Sequence, residues 1–202
     1  MNKNFGERVE NIWKDLRPMT KKMLEGAMSP GKPNTRQKFS YDARSDWELS
    51  SLLTALDEQA KESKERKNEV QLRAIRNFAD VCAGVLEART ESAEVFIQLA
   101  KRALARNDFR RIDKLADILF DRFTAGEIAE IIRQTELAQI RALAYETLAV
   151  LPTTLIVPLL EDPLYFDIAV NVLEQQALEF DSDDAKLVLD HLDDEMDAED
   201  DH

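Results

Sequence analysis

Residue types that carry most nucleophilic, metal and turn chemistry are scarce in this chain: one cysteine, two histidines, five glycines and six prolines in 202 residues. Cys82 has no partner for an internal disulfide, so the cysteine count does not ask for an oxidising compartment. Both histidines, His191 and His202, fall in the acidic C-terminal stretch, leaving none nearby in sequence to draw a proton from Cys82. A buried, structural thiol is the expectation. The glycines at 6, 26, 31, 84 and 126 form no phosphate-cradling loop. With turn and strand formers this rare, and Ala, Leu, Glu, Asp, Arg and Ile abundant, the composition predicts an all-α chain.

Long apolar runs are missing as well. The most apolar segment, "LAVLPTTLIVPLL", is interrupted twice by proline and falls short of the roughly 18–20 residues that span a bilayer. The opening "MNKNFGERVENIW" lacks the basic-then-apolar order of a secretory signal. A soluble, cytoplasmic protein without a membrane span is expected. Net charge is −13, unevenly spread: Met1 to Arg44 holds ten Lys/Arg against five Asp/Glu, net +5, which leaves −18 for the remainder. Phosphate backbones are repelled by most of such a surface, so nucleic acid is an unlikely partner except through the basic front.

Apolar residues Phe5, Val9, Ile12, Trp13, Leu16, Met19, Met23, Leu24 and Ala27 recur at three- and four-residue steps, predicting an amphipathic helical arm over 1–28. Pro18 either bends that helix or breaks it in two. Its mixed charged face, with Lys14, Arg17, Lys21 and Lys22 diluted by Glu7, Glu10, Asp15 and Glu25, suits packing against the body or a second copy of the chain better than a membrane surface. Residues 29–44, "SPGKPNTRQKFSYDAR", read as a basic linker or loop. The body, residues 45–196, opens on "SDWE", where Ser45 and Glu48 have capping-box spacing. Residues 46–88 fit one very long helix or two with a solvated join, and residues 197–202 form an acidic tail.

Beyond Leu86 a period emerges. Candidate N-caps at Ser92, Thr124, Thr153 and Ser182 stand 32, 29 and 29 residues apart, each interval holding two helical stripes, and Thr124 with Glu127 gives a second capping-box spacing. Paired helices repeating in this way bury their apolar faces by stacking on neighbours. In "PLLEDPLYFDIAVNVL" an apolar helix end, an Asp-Pro turn and a second apolar stripe follow one another; in "QIRALAYETLAVLP" Ile140-Arg141 opens a second helix and Pro152 begins the next pair. Over about residues 90–180 this resembles HEAT repeats of bacterial type. Asp167 or Ile168 stands where the arginine of the following pair belongs, and the first pair lacks the Asp-Pro turn.

The resemblance implies a short α-α superhelix, or solenoid, whose second helices line an extended concave wall. The residues placed there are Arg110, Lys114 and Asp117, with Asp121, on the first second helix; Arg141 and Tyr145 on the next; and Asp167, Asn171 and Glu174 on the last. Non-catalytic binding of a protein partner follows, a basic one suiting the acidic end. Two alternatives use nucleic acid. Residues 14–44, with Phe39 and Tyr41 and beside Trp47, could touch DNA or RNA. More remotely, some HEAT-like proteins are DNA glycosylases, which need an Asp and aromatic residues in a basic groove, whereas this wall turns acidic along the stack.

No cofactor or metal is expected. "DSDD" from Asp181 imitates the start of an EF-hand loop without its central Gly and closing Glu; Ser182 as N-cap with Asp183 and Asp184 in the first turn explains it. His191 and Glu195 lie one helical turn apart with no third ligand beside them, the pattern of a solvated helix end.

Overall fold

The computed structural model describes residues 5–28, 40–66 and 68–200, without the side chains of 195–200. Among them every regular element is helical and no strand occurs. Two compact units divide the chain, Met1–Val95 and Phe96–His202.

In the first unit the arm is two helices, α1 (Glu7–Asp15) and α2 (Pro18–Ala27). Pro18 sits at the first position of α2, where no amide hydrogen is needed, and holds Arg17 in the extended conformation that ends the preceding helix. Gly6 caps α1 at φ 95°, a conformation open to glycine, and a Cβ there would run into the side-chain amide of Gln59.

Two further helices follow, α3 (Ala43–Glu65) and α4 (Glu69–Arg89), packed along each other. The stretch of 46–88 is therefore two helices. Asn68 starts the second by accepting from the Gln71 amide at 3.2 Å. The capping box read at Ser45 does not form. Asp42 is the N-cap, accepting from Ser45 N and Ser45 Oγ at 2.8 Å each, and Glu48 is drawn into contacts with the arm. One turn of local capping has given way to an ion pair between the buried Glu48 and a part-buried Arg17, which links elements distant in sequence.

The stripe of Leu49, Leu52, Leu53 and Leu56 continues through Ala60 and Ser63, both buried, onto a core face of α4 made by Leu72, Ile75, Phe78, Cys82 and Leu86. The arm closes over it: α1 packs on α3 and α2 on both, burying Phe5, Val9, Leu16 and Leu24. Phe5 stacks on Phe78 with ring centroids 5.7 Å apart, and Trp13 meets the same ring edge-on, also at 5.7 Å. Cys82 is fully buried and its Sγ donates to the Leu49 carbonyl at 3.3 Å. It belongs to the core.

The second unit takes in α5 (Ala93–Ala105) from Phe96 on, α6 (Phe109–Arg122), α7 (Ala125–Gln134), α8 (Ala138–Ala149), α9 (Thr153–Ile156), a 3₁₀ turn (Val157–Glu161), α10 (Phe166–Glu179) and α11 (Asp183–Asp200). Thr124 and Glu127 form both bonds of their capping box, and Ser182 accepts from the Ala185 amide. Ser92 accepts, at 3.5 Å, from the Val95 amide. Thr153 departs from the expected set. Pro152 precedes the helix as its cap residue, while Thr153 is buried and its hydroxyl donates to Gln176 Oε1 at 2.9 Å.

The helix expected over "TTLIVPLLE" lasts only four residues before tightening into the 3₁₀ turn. Pro158 has no amide hydrogen for the carbonyl four residues back, so the α pattern stops there. Within this unit α8 contacts α7, α6 and α10, and α10 also contacts α7 and α11. α6, α8 and α10 are therefore neighbours in that order. Phe96 meets Phe123 edge-on at 5.5 Å.

Gln176 joins the last two pairs. Buried, it accepts from Thr153 and donates through Nε2 to the carbonyls of Ala149 at 3.1 Å and Leu151 at 2.7 Å, so its amide has a partner at each end. Gln176→Leu fills the space but strands two carbonyls and a hydroxyl; an expected loss of about 2 kcal/mol should be read in urea unfolding followed by far-UV circular dichroism. A neutral result would mean that water replaces the amide there.

Candidate functional site

The residues singled out in the sequence fall into two groups in the second unit. Arg141 and Tyr145 project from α8, Asp167, Asn171 and Glu174 from α10, which α8 contacts. Tyr145 is half-buried, and its hydroxyl is raised above its ordinary value of 10.0 first by that burial, then by the Asp167 carboxylate, with Arg141 acting in the opposite direction. These three side chains thus share one electrostatic neighbourhood. Arg141 Nη2 donates to the Thr135 carbonyl at 2.6 Å, and Asn171 Nδ2 to the Asp167 carbonyl, also at 2.6 Å. Glu174 is exposed on the following turn of α10. The geometry suits recognition: a cation, a phenol held in orientation by its own burial, a carboxylate and an amide.

Arg110, Lys114 and Asp117 form an exposed stripe on α6. Of these, Asp117 belongs to a different feature, a hollow of about 400 Å³ between α6 and α8. Asp117, Phe120 and Asp121 line it from α6, and Leu143, Glu146 and Val150 from α8. Phe120 and Val150 are 52% and 54% exposed, large apolar side chains left open to solvent. The sequence reading missed Phe120, Leu143, Glu146 and Val150. A signal existed: Phe109, Ile112, Ala116 and Phe120 make a second apolar stripe on α6, at steps of three, four and four, apart from the buried Leu115 and Leu119.

Glu130, on α7, braces the turn ahead of α10. It accepts from Arg133 Nε and Nη2 at 2.6 Å each and from the Tyr165 hydroxyl at 3.0 Å, and the Arg133 hydrogen bonds lead in holding its carboxyl down at about 2. A group so firmly ionised does not shuttle protons near neutrality.

In the first unit the charged centre is Glu48, only 2% exposed in its side chain. It accepts from the backbone amide of Arg17 at 3.3 Å, from Arg17 Nε at 3.1 and 3.2 Å and from the Thr20 hydroxyl, and pairs with Arg44 at 3.6 Å. Arg17 extends the network to Asp42, at 2.7 and 2.9 Å, and to Ser45 Oγ at 3.0 Å. The Arg17 contact holds the Asp42 carboxyl well below the usual range, and the carboxylates raise Arg17 in turn. Three cations of the basic front are engaged internally, Arg17 and Arg44 by Glu48 and Arg8 by Glu58, and Lys21 donates to the Lys14 carbonyl at 2.9 Å. Residues 29–39, most of the basic loop, lie outside the described residues. A second hollow, about 480 Å³, opens between α1 and α3 beside Trp47, which is 68% exposed.

Among the described residues no three His, Cys, Asp or Glu side chains gather as a metal ion requires, and no helix is long and apolar enough to cross a membrane. His191 is exposed on α11; the Glu195 side chain lies outside the described residues. No histidine occurs in the unit that buries Cys82.

No family model matches this chain, and neither a curated protein nor a solved structure is similar to it. The likeness to HEAT repeats rests on its helical period and turn residues.

Proposed function

We propose that the chain is a non-catalytic protein-binding module of HEAT-like character, using the face formed by its second helices. The observation that carries this reading is the contact of α8 with both α6 and α10, which makes these three helices neighbours in order, as successive second helices of a repeat stack would be. Repeat stacks expose such rows as extended binding walls, and the group around Tyr145 has the mixture of aromatic, cationic and hydrogen-bonding side chains that anchors protein interfaces. Cys82, the chain's one thiol, is buried, and Glu130 and Asp42 are held ionised by their partners, so these three groups are accounted for by packing and ion pairing.

Nucleic-acid binding through residues 14–44 is the competing reading, motivated by the +5 charge of Met1–Arg44. Its cations at Arg17 and Arg44 are shared with Glu48, which weakens their pull on phosphate. A glycosylase is less well supported still, because the hollow that combines Asp117 and Asp121 with Phe120 is lined, among the described residues, by no cation.

A photo-crosslinking amino acid placed at Asn171, on the proposed face, and separately at Lys101, on α5, tests the reading in the native cells. A discrete protein adduct from position 171 and none from 101 is the expected outcome. Equal labelling from both, or none from 171, would overturn it, and an adduct destroyed by nuclease would transfer support to the nucleic-acid reading.

A further inference from the structure

The hollow between α6 and α8 has a composition that selects its occupant. Its lining is apolar, with Phe120 and Val150 more than half exposed and Leu143, half-buried, deeper than either. Its borders are anionic: Asp117, Asp121 and Glu146 are exposed, and no ion pair engages them among the described residues. The second stripe of α6 runs from Phe109, 65% exposed, to Phe120. At a rise of about 1.5 Å per residue it spans about 16 Å, the length of three turns of an apposed helix. Exposed apolar side chains bordered by charge mark interaction sites rather than ordinary surface.

We propose that this hollow receives a helix of a partner protein, amphipathic, with apolar anchors on one face and lysine or arginine along both borders of that face. This rests on the reading of the chain as a protein-binding module and names the chemistry of its partner. An α-helix laid into the hollow and along α6 presents anchors at i, i+3 or i+4 and i+7, which matches the apolar row from Phe109 to Phe120 that leads into the hollow, and the cationic borders meet the three carboxylates. An acidic helix would bring like charges together, and the basic arm of a second copy already buries its apolar face on its own α3 and α4. The carboxylates orient the helix and speed its arrival; Phe120 and Val150 hold it.

The experiment uses the full chain and three fluorescent 18-residue peptides, read by anisotropy at about 0.15 M salt, an ionic strength that screens loose surface attraction. One is a Leu/Lys amphipathic helix, the second has the same composition permuted to abolish the apolar stripe, and the third is Leu/Glu. The Leu/Lys helix should bind one to one, the permuted peptide at least about tenfold more weakly, and the Leu/Glu peptide undetectably. Phe120→Ser with Val150→Ser, both at solvent-exposed positions, should weaken the Leu/Lys helix at least about tenfold at an unchanged thermal midpoint. Asp117→Asn, Asp121→Asn and Glu146→Gln together should flatten its salt dependence.

Equal binding of the permuted peptide would reduce the effect to attraction between opposite net charges and overturn the proposal. So would binding indifferent to the serine substitutions, or dissociation of a homodimer by them without any peptide bound. The outcomes separate from those of the broader reading: a crosslink at position 171 with no groove binding sinks this inference alone, whereas groove binding without that crosslink sinks the α8–α10 face.

Discussion

Phe78→Ala is expected to lower the unfolding free energy of the Met1–Val95 unit by about 4 kcal/mol, within the range for truncating a buried aromatic side chain. Phe78 is where the arm and the α3–α4 pair meet: Phe5 stacks on one side of its ring and Trp13 approaches its edge. Alanine removes the apolar area and leaves a cavity that two other rings cannot both collapse into, and each aromatic pair contributes up to about 1.5 kcal/mol beyond its area. Trp13 and Trp47, the only tryptophans, both lie in this unit, so urea unfolding followed by tryptophan fluorescence reads it directly. Phe78→Leu, which keeps most of the volume, should cost less than half as much. A loss below about 1 kcal/mol in the alanine variant would mean that the aromatic contacts add little to the arm's attachment.

Glu48→Ala should cost about 2 kcal/mol, since it leaves buried donors without their acceptor. The Thr20 hydroxyl, the Arg17 amide and Arg17 Nε all lose Glu48 in one substitution, while the Arg17 terminal nitrogens keep Asp42. The arm should loosen first, visible as faster proteolysis between α2 and α3. Glu48→Gln keeps an acceptor without the charge and separates the two effects by pH. Burial pushes the Glu48 carboxyl up, but hydrogen bonds from Thr20 and Arg17 outweigh it, and the group lies below its ordinary value of 4.5 when folded.

A carboxyl depressed on folding contributes stability that is present above its unfolded value and lost as pH falls through its folded value. The advantage of the native chain over Glu48→Gln should therefore be full well above the ordinary carboxyl value of 4.5 and shrink as pH falls below it. Asp42, also depressed, tilts both proteins alike. A difference constant with pH would assign the cost to shape rather than charge.

Much of this architecture is written in local patterns. Ser182 and the Thr124–Glu127 box are capped by residues a few positions away, so neighbouring sequence suffices to place their helices. Elements set by distant partners could not be read that way. Glu48 has capping-box spacing from Ser45, yet Arg17 and Thr20, about thirty positions earlier, claim it. Thr153 looks like a cap until Gln176 arrives from α10. The stripe of α3 seems to fade because its last buried members, Ala60 and Ser63, are small and, in one case, polar. Pro158 did announce the 3₁₀ turn, but the surrounding apolar residues outweighed it. Of the candidate site, the sequence placed Arg141, Tyr145 and Asp167 on helices that meet; it hid the hollow, because Phe120 and Val150 look like core to any pattern that counts apolar residues without knowing which face is covered.

Cys82 has a use that follows from its position. It is the chain's only thiol and is fully buried against α3, in the first unit. A thiol-specific reagent added to the native protein can reach it only when that unit opens. The labelling rate, extrapolated to reagent concentrations at which opening limits it, then counts opening events one molecule at a time, with the second unit contributing no signal. The chain thus carries its own clock for the lifetime of one half of its structure.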